Sequence, residues 1–252
     1  VHRNVQAAIV EDVGSGDINA ALISTDQIAT AHLITRTAGV FCGQPWADET
    51  SQQIDTSIDI EWLVHDGQSV TPGDALLVAH GPARSLLTCE RIMLNFIQLL
   101  SGTATAARRY VDAISETSAK ILDTRKTVPG LRIAQKYAVA VAGAKNHRMG
   151  LFDAYLIKEN HIAAAGGITE SVDIARRQNP DIKIEVEVET ISQLAEAIEA
   201  DVDMALLDNF STEKLREAVT LSGGNIQLEA SGGITLENVV SIAQTGVNYI
   251  SV

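Results

Sequence analysis

The sequence predicts an α/β protein in two parts: a first stretch of short strands, turns and one long helix, then a parallel α/β barrel. Three observations predict it. After residue 119, short apolar strands that end in a polar residue recur along the chain. Between them lie amphipathic spacers long enough for one crossover helix each, which parallel neighbours require. Before residue 102 the pattern is different, with Gly and Pro turn signals between strand-like segments and then a single run of helical spacing.

In chain order, residues 31–37 and 58–64 have strand character, and Asp66-Gly67 and Pro72-Gly73 mark turns. The run 66–74 resembles the turn grammar of lipoyl-type sandwich domains, but no lysine stands at the turn to carry a cofactor, so it reads as a structural hairpin. From Ser85, Leu86, Leu87, Met93, Leu94, Ile97 and Leu100 share one helical face, which Ser101-Gly102 is expected to end. This helix is expected to join two domains, 1–102 and 103–252. Strands are expected over 120–124, 154–158, 182–189, 204–209, 226–231 and 249–252, with helices over 191–200, 212–221 and 236–244.

The 252 residues carry 19 Lys and Arg against 32 Asp and Glu, a net charge of −13, which argues against nucleic-acid binding because a polyanion needs a basic surface. Yet from Lys120 to His161 eight cations (Lys120, Arg125, Lys126, Arg132, Lys136, Lys145, Arg148, Lys158) face only three acids (Asp123, Asp153, Glu159). Such a basic island in an acidic protein suggests a small anion held locally. Cys42 and Cys89 stand far apart with no CxxC, which fits free thiols and a cytoplasmic location. Residues 1–13 lack the apolar run of a signal peptide or membrane span. Both chain ends are expected to be trimmed or disordered.

In parallel barrels the chemistry sits at the C-terminal strand ends, here Arg125, Lys126, Lys158, Glu187, Asp208 and Ser231. Arg125 and Lys126 follow a strand with Pro129-Gly130 behind them; two adjacent cations repel unless an anion relieves them, although a solvated basic loop would look the same. His147 and Arg148 form a second pair: an arginine fork matches a carboxylate, and a histidine can donate to the same group. Lys158 at the next strand end fits either anion binding or Schiff-base chemistry, while Asn160 and His161 read as helix caps. Glu185, Glu187 and Glu189 alternate with Val186 and Val188, so the glutamates are expected to face the barrel interior unless this is a wet edge strand. Glu187 with Asp208 from the following strand end makes a plausible Mg²⁺ site. Ser231, Gly232 and Gly233 sit where backbone N–H groups at a helix start would meet a phosphate.

Together, Glu90-Arg91 with Asn95, Gln98 and Ser101-Gly102, then 123–132, Asn146-His147-Arg148, 158–161, 185–189, Leu207-Asp208-Asn209-Phe210 and 229–234 resemble the quinolinate phosphoribosyltransferase family. The resemblance runs from Glu11 to Val252. It implies an N-terminal α/β sandwich domain, an open seven-stranded α/β barrel, and a homodimer or hexamer whose active sites borrow Arg91 from the neighbouring subunit. It also implies a quinolinate site at Arg125, His147, Arg148 and Lys158, phosphoribosyl pyrophosphate and Mg²⁺ at Lys126, Glu187 and Asp208, and a phosphate loop at Ser231, Gly232 and Gly233. The catalytic group would be Lys126, Lys158, Glu187 and Asp208. Ala142-Gly143-Ala144-Lys145 departs from the glycine run common in the family, and a family phosphate-binding glycine is expected one residue past Val252. Three rivals stand beside it: a related type II phosphoribosyltransferase for nicotinate or another anionic base, a Schiff-base aldolase using Lys158, and a non-catalytic phosphometabolite sensor.

Overall fold

The fold is that of a computed structural model describing residues 1–252. The chain forms two compact units, one of Val1–Arg108 with Thr127–Gly143 and the other of Arg109–Lys126 with Ala144–Val252.

The first unit starts with helix α1 (His2–Asp12), which its mixed composition did not announce. Then come strands β1 (Ile28–Ile34) and β2 (Gly39–Val40), helix α2 (Gln44–Ile54), strands β3 (Asp59–Trp62), β4 (Ser69–Val70) and β5 (Ala75–Pro82), and helix α3 (Ala83–Ala113). A three-stranded antiparallel sheet is ordered β1-β5-β3, and β2 pairs separately with β4. The turn-rich run 66–74 therefore lies in the connection between antiparallel partners β3 and β5. Its Asp66 also caps α2: one carboxylate oxygen accepts the Gly43 and Gln44 N–H groups at 3.0 and 3.1 Å, and the other accepts the Tyr137 hydroxyl at 2.7 Å.

Helix α3 does not stop at Ser101-Gly102. The Ser101 hydroxyl is committed elsewhere, accepting the Cys42 N–H at 2.9 Å and donating to its carbonyl at 3.0 Å, so it does not compete with the helix backbone. A mid-helix glycine costs about 1 kcal/mol, which the buried Leu100 and Ala104 on either side offset. The expected division at 102/103 thus falls inside one continuous helix. Helix α4 (Arg132–Val141) also groups with the first unit, because Ala134, Ala138 and Ala142, spaced four apart, share a buried cluster with Phe96, Leu100 and Ala104.

The second unit alternates as the repeat predicts: β6 (Lys120–Leu122), β7 (Tyr155–Ile157), α5 (Glu159–Ala165), α6 (Ile168–Gln178), β8 (Ile184–Val188), α7 (Ile191–Glu199), β9 (Met204–Asp208), α8 (Thr212–Ser222), β10 (Gln227–Ser231), α9 (Val239–Ala243) and β11 (Tyr249–Ser251). One six-stranded sheet is ordered β6-β11-β10-β9-β8-β7 with parallel pairings, so β6 and β7 are its free edges and the barrel is open. Six strands form where the resemblance implied seven. Beyond β6 only a single parallel bridge, Leu122 to Lys145, extends the ladder, because Asn146, His147 and Arg148 turn away to serve side-chain contacts.

Candidate active site

Strand β8 is paired on both sides, which removes the edge-strand alternative for its glutamates. Ile184, Val186 and Val188 are fully buried, and Glu185 between them is 5% exposed. Glu185 and Glu187 therefore share the interior face, while Glu189 lies past the strand, exposed, before a capping box of Thr190 and Gln193 that starts α7. Acids inside a barrel need partners. Glu187 has the Lys158 ammonium in direct ion-pair contact, and Glu185 takes a hydrogen bond from His147 Nε2 at 2.7 Å.

The segment after the Leu122–Lys145 bridge is tied down by Asp123 at the end of β6. Its carboxylate accepts the His147 N–H at 2.8 Å and the Asn146 amide at 2.6 Å. His147 then reaches across to β8 and β10, with Nε2 also 3.4 Å from Glu229, so the sheet must curl. The next turn is held by Asp153, which accepts the Met149 and Gly150 N–H groups at 2.6 and 3.0 Å. Arg148 sends Nη1 to the Ala154 carbonyl at 3.3 Å.

Arg125, Arg148 and Lys158 line one cavity of about 440 Å³, together with Leu156 and His161. Burial, then the neighbouring Arg125, holds the Arg148 pKa below its usual value. His161 accepts the Lys158 N–H at 3.0 Å and so caps α5, as read from the sequence. Lys126 is exposed on the turn after β6, with its N–H on the Thr124 hydroxyl at 3.1 Å, and it does not line this cavity. Arg91 is exposed on α3, in the first unit.

Asp208 ends β9, half-buried, opposite Ser231 in the register, and accepts a hydrogen bond from the Asn209 amide at 2.8 Å. Glu187 pairs with Leu206, so Asp208 stands one step further along the same face of the adjacent strand. Two carboxylates at neighbouring strand ends form an all-oxygen donor set that suits a hard divalent cation.

Ser231, Gly232 and Gly233 do not open directly into a helix, since α9 starts only at Val239 and has five residues. Gly232 and Gly233 take φ of +93° and +62°, and a Cβ on Gly232 would stand 2.1 Å from Asn209 Oδ1. Asn238 closes the loop, accepting the Thr235 N–H and donating to the Gly233 carbonyl, both at 2.8 Å. Any phosphate cradle here is loop backbone rather than a helix end.

Sequence reasoning assigned no role to Asp123, Asp153 or Glu229. Glu229 is 1% exposed, and its pKa is pushed up to about 8 by burial and then by Glu185. Its signal in the sequence is its spacing: two residues before Ser231 on the same strand, it shares the inward face.

Three cations in an otherwise largely apolar cavity wall, beside inward carboxylates at the ends of parallel strands, place this chain among α/β barrels with a site suited to a small anion. Residues 17–101 match the family profile of the quinolinate phosphoribosyl transferase N-terminal domain, and residues 103–252 match that of its C-terminal domain. The chain belongs to this family. It is 43% identical to a probable nicotinate-nucleotide pyrophosphorylase (carboxylating) of Bacillus subtilis strain 168, over 96% of this chain and 84% of that protein. Identity is 41% to a mitochondrial quinolinate phosphoribosyltransferase (decarboxylating) of Nicotiana tabacum, over 98% of this chain and 76% of that one. The solved structure of the nicotinate-nucleotide pyrophosphorylase from Francisella tularensis superposes with a TM-score of 0.96 at 48% identity, over 100% of this chain and 89% of that one.

Proposed function

We propose that this protein transfers the phosphoribosyl group of phosphoribosyl pyrophosphate to quinolinate and releases carbon dioxide, yielding nicotinate mononucleotide and pyrophosphate. The observation that carries the reading is the convergence of Arg125, Arg148 and Lys158, from three separate stretches of chain, on one cavity. Their charges match the two carboxylates of a pyridine-2,3-dicarboxylate, and the arginine forks also fix its orientation.

Orientation is what the chemistry asks of the protein. The pyridine nitrogen lone pair forms a bond to the anomeric carbon as the bond to pyrophosphate breaks. The product is a pyridinium, whose positive nitrogen stabilises the electron pair left on the adjacent carbon when the 2-carboxylate departs as carbon dioxide. That carbon then takes a proton, and the 3-carboxylate remains. Arg125, Arg148 and Lys158 hold the dicarboxylate with its nitrogen toward the sugar; Lys126, beside the strand end, meets the phosphates, as do the backbone N–H groups of Ser231, Gly232 and Gly233. Glu187 and Asp208 would hold Mg²⁺, which when bound neutralises charge on the departing pyrophosphate.

The buried free thiols Cys42 and Cys89 fit the cytoplasm, and no helix is long and apolar enough to cross a membrane. A homodimer would bring the exposed Arg91 of a partner subunit to each site. The Schiff-base alternative loses ground because the Lys158 amine is engaged by Glu187. One assay tests the proposal: quinolinate and phosphoribosyl pyrophosphate with Mg²⁺ yield pyrophosphate and carbon dioxide in equal amounts, and neither appears when nicotinate replaces quinolinate. Turnover of nicotinate at a comparable rate would move the protein to the nicotinate-using class.

A further inference from the structure

The His147 ring is 11% exposed and both of its nitrogens are committed. Nδ1 accepts the Arg148 N–H at 2.8 Å. A neutral imidazole has one donor and one acceptor nitrogen, so the ring proton lies on Nε2, 2.7 Å from Glu185 Oε2 and 3.4 Å from Glu229 Oε2. The Glu185 carboxylate works against burial to raise the His147 pKa, but a second ring proton on Nδ1 would have to displace the Arg148 N–H. The ring therefore has no hydrogen bond left for a substrate carboxylate, contrary to what the residue type suggested. What it can do is hold Arg148 by its main chain.

Glu229 stands behind this contact. It projects inward from β10, with Oε2 3.4 Å from His147 Nε2 and a carboxyl oxygen within 4.8 Å of one of Glu185. Two buried carboxyl groups this close do not both ionise, and Glu229 is the more deeply buried of the two. With carboxyl oxygens of the two within 4.8 Å, a proton kept on Glu229 is placed to be donated to Glu185, and burial and the Glu185 charge both push the Glu229 pKa up. Glu185 Oε1 and Glu229 Oε2 are both buried with no other hydrogen-bonded group, which a proton shared between the two carboxyl groups accounts for.

We infer that Glu229 is a positioning residue: by donating to Glu185 it orients the carboxylate that holds His147 Nε2–H, and the His147 ring in turn fixes the Arg148 backbone at the wall of the substrate cavity. This rests on the reading of Arg148 as a ligand of the dicarboxylate. The groups follow one another from Glu229 through Glu185 and His147 to the Arg148 N–H.

The test compares Glu229→Leu, Glu229→Gln and Arg148→Ala by steady-state kinetics with each substrate varied in turn. In Glu229→Leu the donor is lost at similar bulk, so KM for quinolinate rises about fivefold or more while KM for phosphoribosyl pyrophosphate stays within about twofold. In Glu229→Gln the amide donates as the acid does, and both KM values stay near the parent. If Glu229→Leu does not fold, Glu229→Asp, too short to reach Glu185, gives the same split. Equal changes in both KM values, or none, overturn the inference. So does a divalent metal that co-purifies at one equivalent and is lost in Glu229→Leu, since the His147, Glu185 and Glu229 ligand atoms lie within 4.8 Å of one another and a cation would then explain the cluster. An unchanged quinolinate KM in Arg148→Ala overturns the pocket reading itself, whereas a raised KM there with no effect of Glu229→Leu overturns only the inference.

Discussion

Replacing Arg148 with alanine removes a guanidinium held from both ends of the residue. Its N–H is fixed by His147 Nδ1 at 2.8 Å, and its Nη1 by the Ala154 carbonyl at 3.3 Å, so the side chain enters the cavity with much of its rotamer freedom already lost. A hydrogen bond to a charged group contributes about 1.5 to 3 kcal/mol, and about 1.4 kcal/mol is a factor of ten. Losing even one limb of the fork therefore weakens quinolinate binding by at least about tenfold. Losing the whole fork costs somewhat more than about a hundredfold, on the order of two such bonds at the lower estimate. Arg148→Lys keeps the charge but not the planar fork and falls between parent and alanine. Isothermal calorimetry with quinolinate measures this directly as Kd, without dependence on turnover. A parental Kd in Arg148→Ala would refute the assignment of the dicarboxylate pocket, whatever the kinetics show.

Three other perturbations separate the remaining parts of the site. Gly232→Ala puts a Cβ 2.1 Å from Asn209 Oδ1 at φ of +93°, so KM for phosphoribosyl pyrophosphate rises severalfold while calorimetry finds quinolinate binding unchanged. Glu187→Gln removes one candidate metal ligand, and the Mg²⁺ concentration for half-maximal rate rises about tenfold or more; an unchanged Mg²⁺ titration would remove Glu187 from the metal site. Glu229 titrates near 8 in the folded protein against an ordinary 4.5, so between those pH values the folded state binds the extra proton and stability falls as pH rises. Thermal unfolding across that window shows a downward slope with pH that Glu229→Gln flattens; parallel slopes would contradict the shift.

The second half of the chain was more legible than the first, for a physical reason. Its strands are buried on both faces and end in polar residues, so composition and period mark them together, as in 184–188 and 204–208. In the first unit α1 has one buried residue, Val5, and a weak apolar stripe, so nothing in its pattern separates it from a loop. Ser101-Gly102 misled because a helix stop and a tertiary hydrogen bond use the same residue type, and only the partner, Cys42, distinguishes them. Helix α4 has a marked apolar face, yet its ten residues lie just past Pro129-Gly130 in a stretch whose cations, Arg132 and Lys136 among them, read as an anion-binding loop. Within the site, the cations announced themselves by clustering, whereas Asp123, Asp153 and Glu229 act on backbone or on one another and leave no cluster to find.

Adjacent arginines ordinarily demand an anion, yet here acids behind the wall share that task before any ligand arrives. The Glu185 and Asp153 charges favour the charged Arg148, opposing the push from burial and Arg125, and Glu187 lies against Lys158. The cavity wall carries three cations, with Glu187 against one of them, so it offers charge to more than one carboxylate. A dicarboxylate can engage two of these cations at once, whereas a monocarboxylate such as nicotinate engages one, and discrimination follows from charge count as much as from shape. Arg125→Ala removes one of the three cations. The ratio of nicotinate Kd to quinolinate Kd, measured by competition, therefore falls by about tenfold in this variant, because the second carboxylate loses a charged partner and the first does not. A ratio that stays at the parental value while both affinities drop together would show that Arg125 supports the pocket without reading the second carboxylate.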